Sequence, residues 1–181
     1  MSVSSSNVKE GRTMAEVFLS LGSNVDREMH IHKALDEIGR LFGPLTVSSV
    51  YESEAVGFRG DPFFNLVVGF RSRLPAGEIA RMLREIEIAH GRTVESRKFE
   101  PRTLDIDLII YGDQVGEEEG LKLPRDEIAK YAFMLEPLAE IAPGFTYPGL
   151  ERNFGQLWED FDKSQLRQKR TDFPKAWRDV F

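Results

Sequence analysis

The stretch that most constrains the fold is residues 104–111 (LDIDLIIY), in which two aspartates interrupt an apolar run. The run has the length and the branched aliphatic composition of a strand that enters a core. Side chains alternate between the faces of a strand, so Asp105 and Asp107 point one way. Leu104, Ile106 and Leu108 point the other way. Carboxylates that share a face repel each other, and burying them unpaired costs several kcal/mol.

A cation is the simplest neighbour for this carboxylate pair. Mg²⁺ takes one or two carboxylates and leaves positions for phosphate oxygens. Arg102, three residues before Asp105, adds a guanidinium fork of the shape that binds phosphate. The alternative is a solvent-facing strand start with ordinary acidic side chains, because a bare Asp-x-Asp is a weak motif.

The composition limits the class of protein. A chain of 181 residues, 41% hydrophobic and 30% charged, is typical of one soluble globular domain. The net charge of −6 argues against general nucleic-acid binding, and no apolar run reaches the length of a membrane span. The absence of cysteine excludes disulfides and thiolate metal sites. We therefore expect a cytoplasmic protein that binds neither nucleic acid nor membrane.

Hydrophobic periodicity predicts the order strand, helix, strand, strand, helix, strand. The first five elements are predicted at residues 16–21, 26–42, 46–52, 63–72 and 75–90, and the aspartate-bearing strand is the sixth. This order predicts an α+β fold, a ferredoxin-like sandwich in which helices pack on an antiparallel sheet of about four core strands.

The ends of the chain differ from this core. Residues 1–14 are predicted to be a disordered extension, 15–161 a single α+β domain and 162–181 a basic, aromatic tail. Inside the domain we expect a solvated acidic turn at 112–120 and helices near 132–141 and 153–161. Pro137 predicts a break in the first of these helices, or the start of a second. The tail carries six Lys/Arg against three Asp, or +3, and is expected to dock on the body or on a partner.

Two further features suggest a ligand. The segment 91–102 holds four Lys/Arg and two Glu, or +2 in an acidic chain, directly before the aspartates. It is either a phosphate clamp or an ordinary solvated loop. Asn65 lies in an otherwise apolar strand and is either a half-exposed edge residue or an amide that reads a small planar heterocycle. Phe63 and Phe133 could then stack on such a ring.

Residues 99–107 (FEPRTLDID) resemble the signature of the 6-hydroxymethyl-7,8-dihydropterin pyrophosphokinase family. Further segments are similar to that family in order and spacing, so that the resemblance covers about residues 15–160. These segments are 18–24 (FLSLGSN), 47–53 (VSSVYES), 61–65 (DPFFN), 85–92 (EIEIAHGR) and 132–143 (AFMLEPLAEIAP).

The resemblance implies an enzyme, a transferase of folate biosynthesis. It would move pyrophosphate from ATP to the hydroxymethyl group of the pterin and leave AMP. The alternatives are a diverged member with another pterin-like substrate or weak activity, and a non-catalytic ligand-binding protein. The expected partners are the pterin and ATP, and the chain is expected to be a monomer or a weak homodimer.

The resemblance also implies roles for particular residues. Asp105 and Asp107 would bind two Mg²⁺ ions and, with the clamp arginines Arg92 and Arg102, form the catalytic group. ATP would be contacted by Glu87, Arg92, Lys98, Phe99, Arg102, Leu108 and Arg125. The pterin would be held by Ser53, Val56, Gly57, Phe63, Asn65 and Phe133.

The chain departs from the family pattern beside the nucleotide. The family usually has a histidine and an aromatic residue where this chain has Arg125 and Asp126. It usually has a tryptophan where this chain has Phe99, and Glu100 puts a carboxylate into the same loop. Arg125 could take over a phosphate contact.

Overall fold

The computed structural model describes residues 13–54, 62–91 and 103–172. Most of the expected N-terminal extension lies outside these ranges, as do the tail aromatics Phe173, Trp177 and Phe181. Among the described residues no helix has both the length and the apolar character needed to cross a membrane.

The core is an antiparallel sheet. Its strand order is β5-β1-β4-β3-β8, and β2 pairs with β4 beside β3. The strands are β1 (Ala15–Ser23), β2 (Thr46–Val47), β3 (Tyr51–Ser53), β4 (Phe63–Ser72), β5 (Asp105–Tyr111) and β8 (Gln168–Arg170). Two further strands, β6 (Gly116–Glu118) and β7 (Leu121–Leu123), form a separate hairpin.

Helices cover both faces of the sheet. The amphipathic helices α1 (Arg27–Phe42) and α2 (Ala76–Ala89) bury one apolar stripe each against the sheet, including Leu66 of β4 and Ile106 and Leu108 of β5. The shorter helices α3 (Ala132–Ile141) and α4 (Phe154–Asp160) pack on the opposite face, around Ile109 and Val67. The predicted α+β fold and its strand-helix order are confirmed.

Three predicted elements differ in detail. The strand expected at 46–52 is divided into β2 and β3, because the hydroxyl of Ser48 accepts from the Val67 N–H at 2.9 Å and donates to the Ser49 carbonyl. The turn expected at 112–120 contains β6 of the exposed hairpin. Helix α3 continues through the buried Pro137 without the expected break. Part of the tail docks on the body, as the strand β8.

Glu140 holds the divided strand against α3. Its carboxylate accepts from the Ser49 N–H at 3.0 Å, from the Ser49 hydroxyl at 2.8 Å and from the Tyr51 hydroxyl at 2.7 Å. Burial and the bond to Glu140 raise the pKa of Tyr51, so the phenol remains a donor at neutral pH. This network compensates for ladder bonds that the break between β2 and β3 removes.

We expect Glu140→Ala to lower the free energy of unfolding by about 1–3 kcal/mol, because partly buried donors lose their acceptor. Glu140→Gln keeps one acceptor oxygen and should lose less. Chemical denaturation measures both, with the exposed Glu151→Ala as the control. A Glu140→Ala protein as stable as the control would contradict this role.

Candidate active site

One row of residues crosses the sheet on the α3 face. Gly22 of β1 pairs with Asp105 of β5 on one side and with Asn65 of β4 on the other, and Asn65 pairs in turn with Tyr51. Neighbouring strands are about 4.8 Å apart, so Asp105 and Asn65 are separated by about 10 Å. Between them the sheet presents a glycine, which leaves room above its backbone.

Asp105 and Asp107 lie at one end of this row, on the edge strand β5. Both are half-buried and share their face with Ile109, whereas Ile106 and Leu108 are buried toward α1 and α2. The alternation predicted from the sequence is therefore confirmed. The fold brings two carboxylates to an accessible sheet edge.

Arg125 brings a positive charge to the same edge. Its backbone N–H donates to the Ile109 carbonyl at 3.0 Å, and its Nη1 lies 3.7 Å from Oδ1 of Asp107. Nε and Nη2 donate to the two carboxylate oxygens of Glu127. Burial acts to lower the pKa of Arg125, but the bond to Glu127 and the field of Asp107 outweigh it and raise that pKa. The guanidinium is thus a fixed cation beside the carboxylates.

Asn65 lies at the other side of Gly22 and is 7% exposed. Its Nδ2 donates to the hydroxyl of Ser53 at 2.9 Å, so the two predicted pterin-binding residues contact each other. A Cβ placed on Gly22 would lie 3.0 Å from Oδ1 of Asn65 and 3.9 Å from the ring of Phe63. Gly22, Asn65 and Phe63 therefore lie close together, and a side chain at position 22 would press on the amide of Asn65.

Phe133 begins the helix that covers this face. It is half-buried in the first turn of α3, and its ring stacks on Tyr131 at a centroid distance of 5.3 Å. Phe133 and Phe63 therefore come from different layers, the helix and the sheet.

Glu87 and Leu108 lie in the core. The side chain of Glu87 is 4% exposed and accepts from the Ile106 N–H at 2.8 Å, which fixes α2 to the aspartate-bearing strand. Leu108 is 5% exposed on the α1 and α2 face, so it could meet a nucleotide only through its backbone. In this conformation the carboxylate of Glu87 holds the strand in place.

Several predicted site residues lie outside the described ranges, namely Val56, Gly57, Arg92, Lys98, Phe99 and Arg102. The structure adds two residues that the sequence reasoning did not select, Gly22 and Glu127. Gly22 is the single glycine of the segment 18–24, and its position opposite Asn65 follows only from the strand register. Glu127 follows Arg125 by two residues, a spacing that gave no signal by itself.

The donor set fits a hard divalent cation. Across the described ranges, no cluster of three or more acidic, histidine or cysteine side chains is arranged to hold a metal. Two carboxylates such as those of Asp105 and Asp107 are a donor set that an octahedral cation accepts when water or phosphate completes its shell. Mg²⁺ in enzymes that bind phosphates typically has such an incomplete protein shell.

Fold and site together define a ferredoxin-like α+β protein in which one strand separates an acidic sheet edge from a buried side-chain amide. The sequence model of the family described as 7,8-dihydro-6-hydroxymethylpterin-pyrophosphokinase (HPPK) matches residues 18–143. The chain belongs to this family.

Curated relatives agree with this assignment. The 2-amino-4-hydroxy-6-hydroxymethyldihydropteridine pyrophosphokinase of Aquifex aeolicus is 37% identical over 137 residues, which cover 75% of this chain and 85% of the relative. The protein of the same name from Pseudomonas aeruginosa is 36% identical over 138 residues, covering 73% and 83%.

Solved structures share the fold. The HPPK-DHPS of Plasmodium falciparum with pteroate aligns with a TM-score of 0.67 at 13% identity, over 87% of this chain and 46% of that one. An HPPK-DHPS in complex with substrates gives the same TM-score at 12% identity. The chain spans about half the length of these bifunctional proteins.

We expect Gly22→Ala to displace the amide of Asn65, because the new methyl group would lie tighter than van der Waals contact against Oδ1. The side-chain amide resonances of Asn65 should shift, and stability should fall by about 1–2 kcal/mol through overpacking. Gly144→Ala is the control, since nothing lies within 4 Å of its added Cβ. Unchanged Asn65 resonances in Gly22→Ala would contradict the close contact between Gly22 and Asn65.

Proposed function

We propose that this protein transfers the pyrophosphoryl group of ATP to the hydroxymethyl group of 6-hydroxymethyl-7,8-dihydropterin, giving the pterin diphosphate and AMP. The observation that carries the proposal is the row Asp105, Gly22, Asn65. It places the carboxylate of Asp105, a proposed cation ligand, about 10 Å from the amide of Asn65, which can hydrogen-bond to a heterocycle. Membership of the HPPK family and the names of the relatives support the reaction.

Asp105 and Asp107 would hold Mg²⁺, and the proposal includes two ions. When bound, Mg²⁺ neutralises phosphate charge and orients the transferred group. The half-buried position of both carboxylates on an edge strand supports this assignment, because it leaves phosphate oxygens room to complete the shell.

The phosphates would be bound by cationic side chains. Arg92, Lys98, Phe99 and Arg102 are proposed from the family resemblance. Arg125 is proposed from its position as well, since its guanidinium lies beside Asp107 and is oriented by Glu127. Arginine presents paired donors that match phosphate oxygens, so Arg125 would replace the family's histidine as an electrostatic contact.

The pterin would lie over Gly22. Asn65 and Ser53 would pair with its polar edge, and Phe63 and Phe133 would contact its two faces. Val56 and Gly57 would line the same side. The hydrogen bond from Asn65 to Ser53 supports this assignment, because it fixes the orientation of the amide before a ligand binds. The substrate would thus bind to an amide and a hydroxyl that are already oriented.

Incubation with ATP, Mg²⁺ and 6-hydroxymethyl-7,8-dihydropterin tests the proposal. We expect AMP to form only when the pterin is present. ADP or inorganic phosphate as the nucleotide-derived product would indicate another phosphotransferase or a hydrolase. Pterin binding without any turnover would indicate a non-catalytic binding protein, and AMP formation with a different pterin alone would indicate a diverged substrate.

We expect Asp107→Ala to lower kcat by about 100-fold or more, because a direct cation ligand is lost. The thermal midpoint should stay within about 3 °C, since the carboxylate is half-buried and its removal relieves repulsion with Asp105. Asp113→Ala, an exposed aspartate just beyond the same strand, is the matched control. Near-normal turnover of Asp107→Ala would overturn the metal assignment.

A further inference from the structure

The C-terminal strand β8 lies beyond the segment 18–143 that the family model matches, yet it joins the sheet next to Ser53. We propose that Gln168 of β8 is a positioning residue that fixes Ser53 and Phe133 relative to each other. The inference rests on the proposed function, because Ser53 is a proposed contact to the edge of the pterin and Phe133 a proposed contact to one of its faces.

Strand β8 pairs with β3 at the edge of the sheet. Strand β3 has three residues and pairs with β4 on one side. Strand β8 pairs with its other side, where Gln168 lies opposite Ser53. The pairing continues past the strand, since the Thr171 N–H donates to the Val50 carbonyl at 2.8 Å. So short a strand at a sheet edge would open easily, and β8 gives it a second neighbour.

Gln168 also contacts helix α3. Its Nε2 donates to the Ala132 carbonyl at 3.1 Å and to Oε1 of Glu136 at 2.9 Å. Ala132 is the first residue of α3, directly before Phe133. Both protons of the amide are thus used on the first turn and a half of the helix. The residue opposite Ser53 is therefore also bonded to the backbone next to Phe133.

Arg170 makes a parallel connection one pleat further along. Its Nη2 donates to the Tyr51 hydroxyl at 3.1 Å, and the same atom lies 3.9 Å from Oε1 of Glu140 on α3. Tyr51 pairs with Asn65 in the sheet. Strand β8 thus connects the sheet to α3 at two successive positions on the proposed substrate side.

The same strand borders an open cleft. A cleft of about 350 Å³ lies beside Ser53 and is lined by residues 167–169, Glu52, Glu54 and Pro62. Strand β8 therefore lines an open space next to a proposed pterin contact.

The position of β8 predicts which substrate it affects. The carboxylates lie on β5, at the opposite edge of the sheet from β8, with three strands between them. A change at Gln168 should therefore raise the KM for the pterin and leave the KM for ATP unchanged. A general loss of structure would change both.

The test uses Gln168→Glu, which keeps the shape of the side chain, removes both donors and brings a carboxylate against Glu136. We expect the KM and the Kd for the pterin to rise about tenfold, which corresponds to one or two lost hydrogen bonds. The KM for ATP should stay within about twofold of wild type. The double variant Gln168→Glu/Glu136→Gln restores one donor-acceptor pair and should recover part of the loss. Gln165→Glu, the same change at an exposed position three residues earlier, should behave as wild type.

Equal changes in both KM values, or no change in the KM for the pterin, would overturn the inference. Gln168→Met, which also lacks donors but adds no charge, keeps the test valid if Gln168→Glu does not fold. The proposed function fails separately, because in that case the wild-type protein itself forms no AMP with the pterin. An active wild type with an unaffected Gln168→Glu would contradict the positioning role alone.

Discussion

The register of β1 between β4 and β5 is the constraint on which the site depends. Leu19 and Leu21 are buried under α1 and α2, so the alternate residue Gly22 must face α3. A slip of one residue would turn these leucines away from α1 and α2, and the core that they form with these helices therefore enforces the register. The same register aligns Asp105 and Asn65 with Gly22. Hydrophobic packing on one face of the sheet thus positions the side chains of Asp105 and Asn65 on the other face.

The sheet separates two kinds of recognition. The β5 edge carries the charged groups, which are Asp105, Asp107 and the guanidinium of Arg125. The β3 and β4 side carries neutral hydrogen-bonding groups, of which Asn65 and Ser53 contact each other. In the proposed reaction, this separation would allow phosphate charge to be neutralised at an accessible edge and the heterocycle to be bound where water is largely excluded. A ligand that needs both must bridge the strand that contains Gly22.

Local periodicity predicted much of this arrangement, and contacts between distant segments account for what it missed. The alternation that places Asp105 and Asp107 on one face is a property of any strand, so the sequence was sufficient. The pairing of β8 with β3 joins residues more than a hundred positions apart, and no spacing rule reports such a contact. The division of the strand at Ser48 arises from a hydrogen bond with β4, and the carboxylate of Glu140 compensates for the lost ladder bonds; neither partner is local. Gly22 can be identified as a site residue only from its cross-strand neighbours, Asn65 and Asp105.

Arg125 is a cation that the fold brings to the carboxylate pair Asp105 and Asp107. Its guanidinium lies 3.7 Å from Asp107, a separation at which a partly exposed pair contributes little to stability. Its closer contacts are with Glu127, whose pKa is lowered by the hydrogen bond from Arg125, so both partners stay charged at neutral pH. Glu127 therefore orients the arginine beside the acidic edge. A phosphate bound at this edge would meet a guanidinium already held in place, which would lower the entropic cost of binding it.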